Sequence, residues 1–114
     1  MLITLEQLEE CIPGSSDRKR IQYIKELNEL MQVYGIYTLE RRAAFIAIFA
    51  YDSENLHIIP DLKIYMNRWK TNNCNNLADI GSFTAIILRM ADKPEGIECR
   101  KSSYIRCKKV FNLM

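Results

Sequence analysis

The chain has 114 residues, of which 48% are hydrophobic and 26% charged, and its formal net charge is +2. This length favours one domain that buries enough surface for a single core. The composition excludes the disordered and fibrous classes of protein, and the small net charge gives no general preference for an acidic partner.

Apolar residues recur at spacings of three and four along six segments, and each segment begins at residue types that start helices. The predicted starts are Thr4, one of residues 15–17, Thr38, Pro60, Ser82 and the break at Pro94 and Gly96. Glycine or polar residues separate the segments, as at Gly35 and in TNNCNN, residues 71–76, which we expect to be a loop. No segment alternates convincingly with period two, so the sequence predicts an all-α, compact single domain of about six helices over residues 1–114.

The third predicted helix is the most apolar part of the chain. It runs from Ala43 to Tyr51 without a charge and then reaches Asp52. Because a helix that is apolar all round must be covered on several sides, we expect it at the centre of the core. The last predicted helix should instead turn one stripe inward, made of Tyr104, Cys107, Phe111 and Met114.

Cysteine and histidine usage indicates neither a metal site nor a cofactor. The cysteines at 11, 74, 99 and 107 form no C-x-x-C pair, and His57 is the single histidine, which we interpret as structural. We expect four buried, reduced thiols. The longest apolar run is too short to span a bilayer and the N-terminus lacks the features of a signal peptide, so the sequence predicts a cytoplasmic protein without membrane contact.

One segment carries a family resemblance. YGIYTLERRAAFIAIFAYDSENL, residues 34–56, resembles the segment YGI-T-x-x-R-x-AAFLAQ-x-AHES-G of glycoside hydrolase family 19, the family of chitinases and phage endolysins. On that register Tyr51, Asp52 and Ser53 stand where the family has His, Glu and Ser. The resemblance implies a lysozyme-like fold, and it places Asp52 at the position of the family's catalytic acid.

A second, collinear segment carries the same resemblance. It is WKTNNCNNLADIGSFTAIILRMADKPEGIECR, residues 69–100, and its matching residues are Trp69, Asn72, Asn75, Leu77, Ala78, Asp79, Phe83, Ile86, Gly96 and Arg100. The family's long middle section, with its second catalytic carboxylate, is reduced here to residues 56–68. The family's Asn-Gly-Gly is replaced by Ala91, Asp92 and Lys93. The resemblance therefore implies a shortened lysozyme-like domain whose middle catalytic lobe is deleted.

These losses favour an inactive relative of the family over an enzyme. Inverting glycoside hydrolysis needs an acid and a base roughly 6.5–9.5 Å apart, and misplacement by about an ångström can cost on the order of a hundredfold in rate. Asp52 is one methylene shorter than Glu, and Glu54 is a weak candidate for the base. The other acids considered are Asp61, Asp92 and Glu95. The alternative hypothesis is a minimal chitin or peptidoglycan hydrolase with Asp52 as general acid and Glu54 or a residue of a partner chain as base.

Two surfaces are candidates for binding. Without the middle section, Tyr51, Tyr65 and Trp69 should flank an apolar surface that binds a protein partner or a second copy; in the alternative interpretation these aromatics close over the gap as core. After Glu98 the chain has five basic residues and no acid, which are Arg100, Lys101, Arg106, Lys108 and Lys109. They support a further alternative, binding of an acidic surface or nucleic acid. The resemblance also makes a phage-derived origin, with inhibition of a host or competitor, an expectation.

Overall fold

The computed structural model describes residues 2–91 and 95–114, and these residues contain seven α-helices and no strand. The helices are α1 (Leu5–Cys11), α2 (Asp17–Val33), α3 (Leu39–Asp52), α4 (Leu62–Thr71), α5 (Cys74–Asp79), α6 (Phe83–Met90) and α7 (Ile97–Val110). Their radius of gyration is 12.5 Å, and the principal extents are 31, 27 and 27 Å. The predicted all-α single domain is confirmed.

The first three helices begin where their sequence caps predict. Thr4 forms a capping box with Gln7, in which each side chain accepts a hydrogen bond from the other residue's backbone N–H. The side-chain oxygens of Ser16 and Thr38 each accept a hydrogen bond from the backbone N–H three residues later. Gly35 follows the end of α2 with a φ of +77°, in the left-handed region that glycine adopts without strain.

The prediction of a loop over 71–76 is wrong for most of its length. Only residues 72–73 separate α4 from α5, and Asn73 makes the turn with a φ of +58°. α5 forms because Cys74 and Ala78 are four residues apart and both are buried, so tertiary burial outweighs the weak helix propensity of the asparagines. This helix raises the number of helices from the expected six to seven.

Three smaller expectations also change. The cap of α4 is the side chain of Asp61, which accepts a hydrogen bond from the backbone N–H of Ile64, so the helix begins after Pro60 rather than at it. Met114 is 69% exposed because it lies beyond the end of α7, and it does not continue the inward stripe. Cys99 is exposed, whereas the other three cysteines are buried as predicted.

α3 is the central helix, as its apolar sequence predicts. All nine residues from Arg42 to Ala50 are buried, and α3 packs most extensively against α7. Phe45 and Phe49 stack on one another and meet the rings of Tyr65 and Trp69 from α4 at centroid distances of 5.3 to 5.8 Å. This aromatic cluster ties the carboxyl-terminal half of α3 to α4. Among the described helices, none is both long and apolar enough to cross a membrane.

Candidate binding cleft

An open cleft of about 480 Å³ lies where the end of α3 meets α4 and the start of α7. It is lined by Tyr51, Asp52, Pro60, Tyr65, Arg68, Met90, Ala91, Glu95 and Arg100. Aromatic, cationic and acidic side chains therefore converge on one concave surface. Concave surfaces with a few convergent polar groups are the usual places where proteins bind ligands.

Asp52 is held in this cleft by two hydrogen-bond donors. The Tyr65 hydroxyl donates to Oδ2 of Asp52 at 2.5 Å, and Nη2 of Arg100 donates to Oδ1 at 3.1 Å. The side chain of Asp52 is 22% exposed and that of Arg100 is 5% exposed. Oδ1 of Asp52 thus accepts a charge-assisted hydrogen bond and Oδ2 accepts one from a hydroxyl group. Because both oxygens are engaged, the Asp52 side chain is held in one orientation.

Tyr65 is a reliable donor in this arrangement. Burial raises the pKa of its hydroxyl well above the usual value, and the neighbouring charge of Asp52 and the hydrogen bond to it act in the same direction. A phenol that keeps its proton carries no negative charge, so it donates a hydrogen bond to the carboxylate, whereas a phenolate would repel it. The position of Tyr65 on the inward face of α4 follows from the aromatic cluster beneath it.

Arg100 is enclosed on several sides. Its Nη1 donates to the backbone carbonyl of Glu95, and its Cζ lies 4.0 Å from the centre of the Tyr51 ring. Its Nε is buried and has no hydrogen-bond partner among the described residues. The stacking on Tyr51 is of the cation–π type, which arginine forms well because its guanidinium group is planar.

Gly96 allows this close packing. Its φ is +71°, and a Cβ atom at this position would lie 2.3 Å from Cζ of the Tyr51 ring. Glycine therefore satisfies two requirements here, a left-handed backbone before α7 and space for the tyrosine ring that covers Arg100. The cleft is formed by backbone geometry as well as by side chains.

The predicted aromatic surface is only partly present. Trp69 is fully buried and its Nε1 donates to the side-chain oxygen of Asn75, while Tyr65 lines the cleft but is only 6% exposed. These two side chains belong to the core, which is the alternative interpretation stated above. Tyr51 is 39% exposed and remains available for contact.

The other four predicted basic residues do not line the cleft with Arg100. Arg106 and Lys109 are exposed on α7, whereas Lys101 and Lys108 are half-buried. The ammonium group of Lys108 lies 4.6 Å from the centre of the Tyr104 ring, a ring that stacks in turn on Phe83. Arg100 alone of the five reaches the cleft.

Of the predicted acids, Glu95 is the one that the described structure places in the same cleft as Asp52. Glu54 is exposed, has a φ of +50° and does not line the cleft. Asp61 caps α4, and its side chain is engaged by the backbone of that helix. Asp92 and Lys93 lie outside the described residues.

Sequence reasoning missed Arg68. It lies three residues after Tyr65 on α4, so both side chains reach the same side of the helix, and its Nη2 donates to the backbone carbonyl of Met90. That spacing is the only signal in the sequence that could have indicated Arg68. Within the described parts of the chain, no group of three or more His, Cys, Asp or Glu side chains could hold a metal ion.

The two segments that carry the family resemblance meet at the cleft. Asp52 comes from the first segment, and Gly96 and Arg100 come from the second. No protein family, no curated protein and no solved structure matches the chain. The relation to glycoside hydrolase family 19 therefore stays a prediction that rests on the quoted residues.

Proposed function

We propose that this protein is a non-catalytic binding domain, a degenerate relative of the family 19 glycoside hydrolases, whose cleft binds a protein partner. One observation carries the proposal: both oxygens of Asp52 accept hydrogen bonds from neighbouring donors, one of them the buried Arg100. A general acid must present a proton to the leaving group of the substrate. The Asp52 carboxylate, whose two oxygens already accept hydrogen bonds, instead positions Arg100 and Tyr65.

Tyr51, at the rim of the cleft, supports the proposal that the partner is a protein. Tyr51 is partly exposed, and its ring is fixed in place by Arg100 on one side and by the close approach of Gly96. Tyrosine and arginine are enriched among the residues that dominate the energy of protein interfaces. A tyrosine that is already fixed loses little conformational freedom on binding, so it contributes more to affinity.

The catalytic part of the proposal is tested with chitin oligosaccharides and peptidoglycan. We expect no hydrolysis product from the purified protein, and the same result for Asp52→Asn. Turnover by the wild-type protein that disappears in Asp52→Asn would contradict the proposal.

The binding part is tested by placing a photoreactive amino acid at Tyr51 and crosslinking in cells of the source organism. The matched control is Tyr37, an exposed tyrosine whose ring contacts Arg41 at 5.6 Å in the same kind of cation–π pair. We expect one defined protein to crosslink at position 51 and not at position 37. Equal crosslinking at both positions would indicate nonspecific contact, and the proposed role of the cleft would be wrong.

A minimal glycan hydrolase remains the second candidate because Asp52 and Glu95 line the same cleft. In that case Asp52 would be the acid and Glu95 the base, and the rate would show a bell-shaped dependence on pH. Glu95→Gln separates the two candidates: it abolishes turnover if the cleft is catalytic, and it changes nothing in a glycan assay if the domain only binds.

A further inference from the structure

One hydrogen-bond donor of the candidate cleft is buried without an acceptor. The side chain of Arg100 lines the cleft and is 5% exposed, and its Nε has no hydrogen-bond partner among the described residues. The other two nitrogens of this guanidinium group are engaged, Nη1 by the backbone carbonyl of Glu95 and Nη2 by Oδ1 of Asp52. A buried donor that has lost water and found no acceptor costs free energy, so a ligand that brings an acceptor atom would complete the group.

Arg41 shows the contact that Arg100 lacks. Nε and Nη2 of Arg41 lie on one edge of the guanidinium group and donate to the two oxygens of Asp79 at 2.9 and 2.7 Å. On the same edge of Arg100, Nη2 donates to Oδ1 of Asp52 at 3.1 Å and Nε donates to nothing in the described structure. Because the N–H groups of this edge are parallel, an acceptor for Nε would lie beside the Asp52 carboxylate.

The charges of the cleft favour a neutral acceptor. A carboxylate at Nε would stand next to the carboxylate of Asp52, and Glu95 is a second acid in the lining. Like charges brought together in a partly dehydrated interface repel one another. A primary carboxamide avoids this repulsion. It also carries two N–H donors, and each oxygen of Asp52 has a lone pair left to accept one of them.

We propose that the cleft binds an asparagine or glutamine side chain of the protein partner, with the carbonyl oxygen on Nε of Arg100 and the NH2 group on the carboxylate of Asp52. The inference rests on the proposed function, in which the partner is a protein. Because Nε is closed to water in the free protein, binding includes a local shift of the side chains around it. The same contacts disfavour aspartate and glutamate, so the site distinguishes an amide from the acid of the same shape.

The test follows the arginine Nε–H signals of the isotope-labelled full chain by NMR while propionamide or propionate is added. These probes have the same shape and differ in an NH2 group in place of one oxygen. We expect propionamide to shift the signal of Arg100 saturably, with a dissociation constant on the order of 10 mM for so small a ligand. Propionate should bind roughly tenfold more weakly. The Nε–H of Arg41 is the matched internal control and should not shift, because it already donates to Asp79.

Either of two results would overturn the proposal: propionamide gives no saturable shift at Arg100, or propionate binds as tightly as propionamide. Asp52→Asn tests the reason for the preference. It removes the negative charge beside Nε, so propionate should bind this variant at least as tightly as propionamide does, and an unchanged preference would refute the argument from charge. If the variant does not fold, the wild-type titration decides alone.

The titration is independent of crosslinking at Tyr51, so the two ideas can fail separately. A response to propionamide without a crosslinked protein would mean that the cleft binds carboxamides and that the proposed function is wrong. A crosslinked protein without a response to propionamide would mean that the domain binds its partner through other groups and that the carboxamide inference is wrong.

Discussion

The same three residue types, tyrosine, arginine and aspartate, come together near each end of α3, in two different environments. We call them the Arg41 cluster, which consists of Tyr37, Arg41 and Asp79, and the Arg100 cluster, which consists of Tyr51, Asp52 and Arg100. Each joins an arginine to a carboxylate and stacks it on a tyrosine ring. The two clusters therefore share their residue types and their kinds of contact, and they differ in solvent exposure and in the side chains around them.

The Arg41 cluster has the better hydrogen-bond geometry. Nε and Nη2 of Arg41 bind the two oxygens of Asp79 at 2.9 and 2.7 Å, but the side chains are 18% and 39% exposed. The Arg100 cluster makes one contact at 3.1 Å with an arginine that is almost fully buried. Water screens the first pair and is excluded from much of the second, so the less ideal geometry should be worth more to the fold. The comparison teaches that burial, more than hydrogen-bond geometry, decides what such a pair contributes to stability, and the cleft of about 480 Å³ is lined by the buried cluster.

The largest expected difference is between the two arginines. Arg100→Met leaves the carboxylate of Asp52 without its cation beside a low-dielectric core, and we expect a loss of about 3 kcal/mol in the free energy of unfolding. Arg41→Met, the matched control, should cost about 0.5 kcal/mol because its pair is exposed to solvent. Urea unfolding of both variants measures the difference, and equal losses would refute the contrast.

The next difference separates two glycines with similar backbones. Gly96 and Gly81 have φ values of +71° and +74°, but a Cβ at Gly96 meets the Tyr51 ring whereas nothing lies within 4 Å of one at Gly81. Gly81→Ala should cost about 1 kcal/mol for the left-handed backbone alone. Gly96→Ala should cost about 1 kcal/mol more, since the ring of Tyr51 must also leave Arg100.

Thermal unfolding measures the glycine effect, and crosslinking at position 51 provides a second measurement. If the close approach of Gly96 positions Tyr51, Gly96→Ala should weaken crosslinking and Gly81→Ala should not. Equal destabilisation by the two substitutions would show that the ring adjusts without cost.

The smallest expected effect is the acid sensitivity of the Arg41 cluster. The hydrogen bond from Arg41 holds the pKa of Asp79 below its usual value, so the folded state binds this proton less tightly than the unfolded state does. The resulting stability is present above the unfolded pKa and is lost as the pH falls through the folded pKa. Because Asp79 is partly exposed, we expect only a few tenths of a kcal/mol.

This pH effect is measured as the urea midpoint between about pH 5 and pH 2, with Asp79→Asn as the control. The wild-type protein should lose slightly more stability over this range than the variant. Identical curves would mean that the pair contributes nothing to the folded state.

Local features of the sequence predicted most of the helices. The capping hydrogen bonds of Thr4, Ser16 and Thr38 each reach only three residues along the chain, so they depend on local sequence. The apolar run before Asp52 predicts a central helix because all of its faces must be covered. The helix at Cys74–Asp79 escaped prediction because its residues favour loops, and only burial of two of its side chains makes it helical.

The candidate site was less accessible to prediction. The position of Asp52 at the end of an apolar run and the family resemblance indicate it as a site residue, and the basic run after Glu98 and the same resemblance indicate Arg100. Their pairing across 48 positions could not be read from the chain, and neither could the burial of Trp69.

The sequence by itself determined an all-α domain with α3 at its centre, because helix caps and hydrophobic periodicity are local properties of the chain. Only the tertiary structure decided which charges are paired, which aromatics are covered and which cysteines are buried. These outcomes depend on the distance and solvent exposure of residues far apart in the sequence, and both arise only when the helices pack. For this reason Asp52 is a carboxylate that lines a cleft and is held there by Tyr65 and Arg100, rather than simply the polar end of an apolar helix.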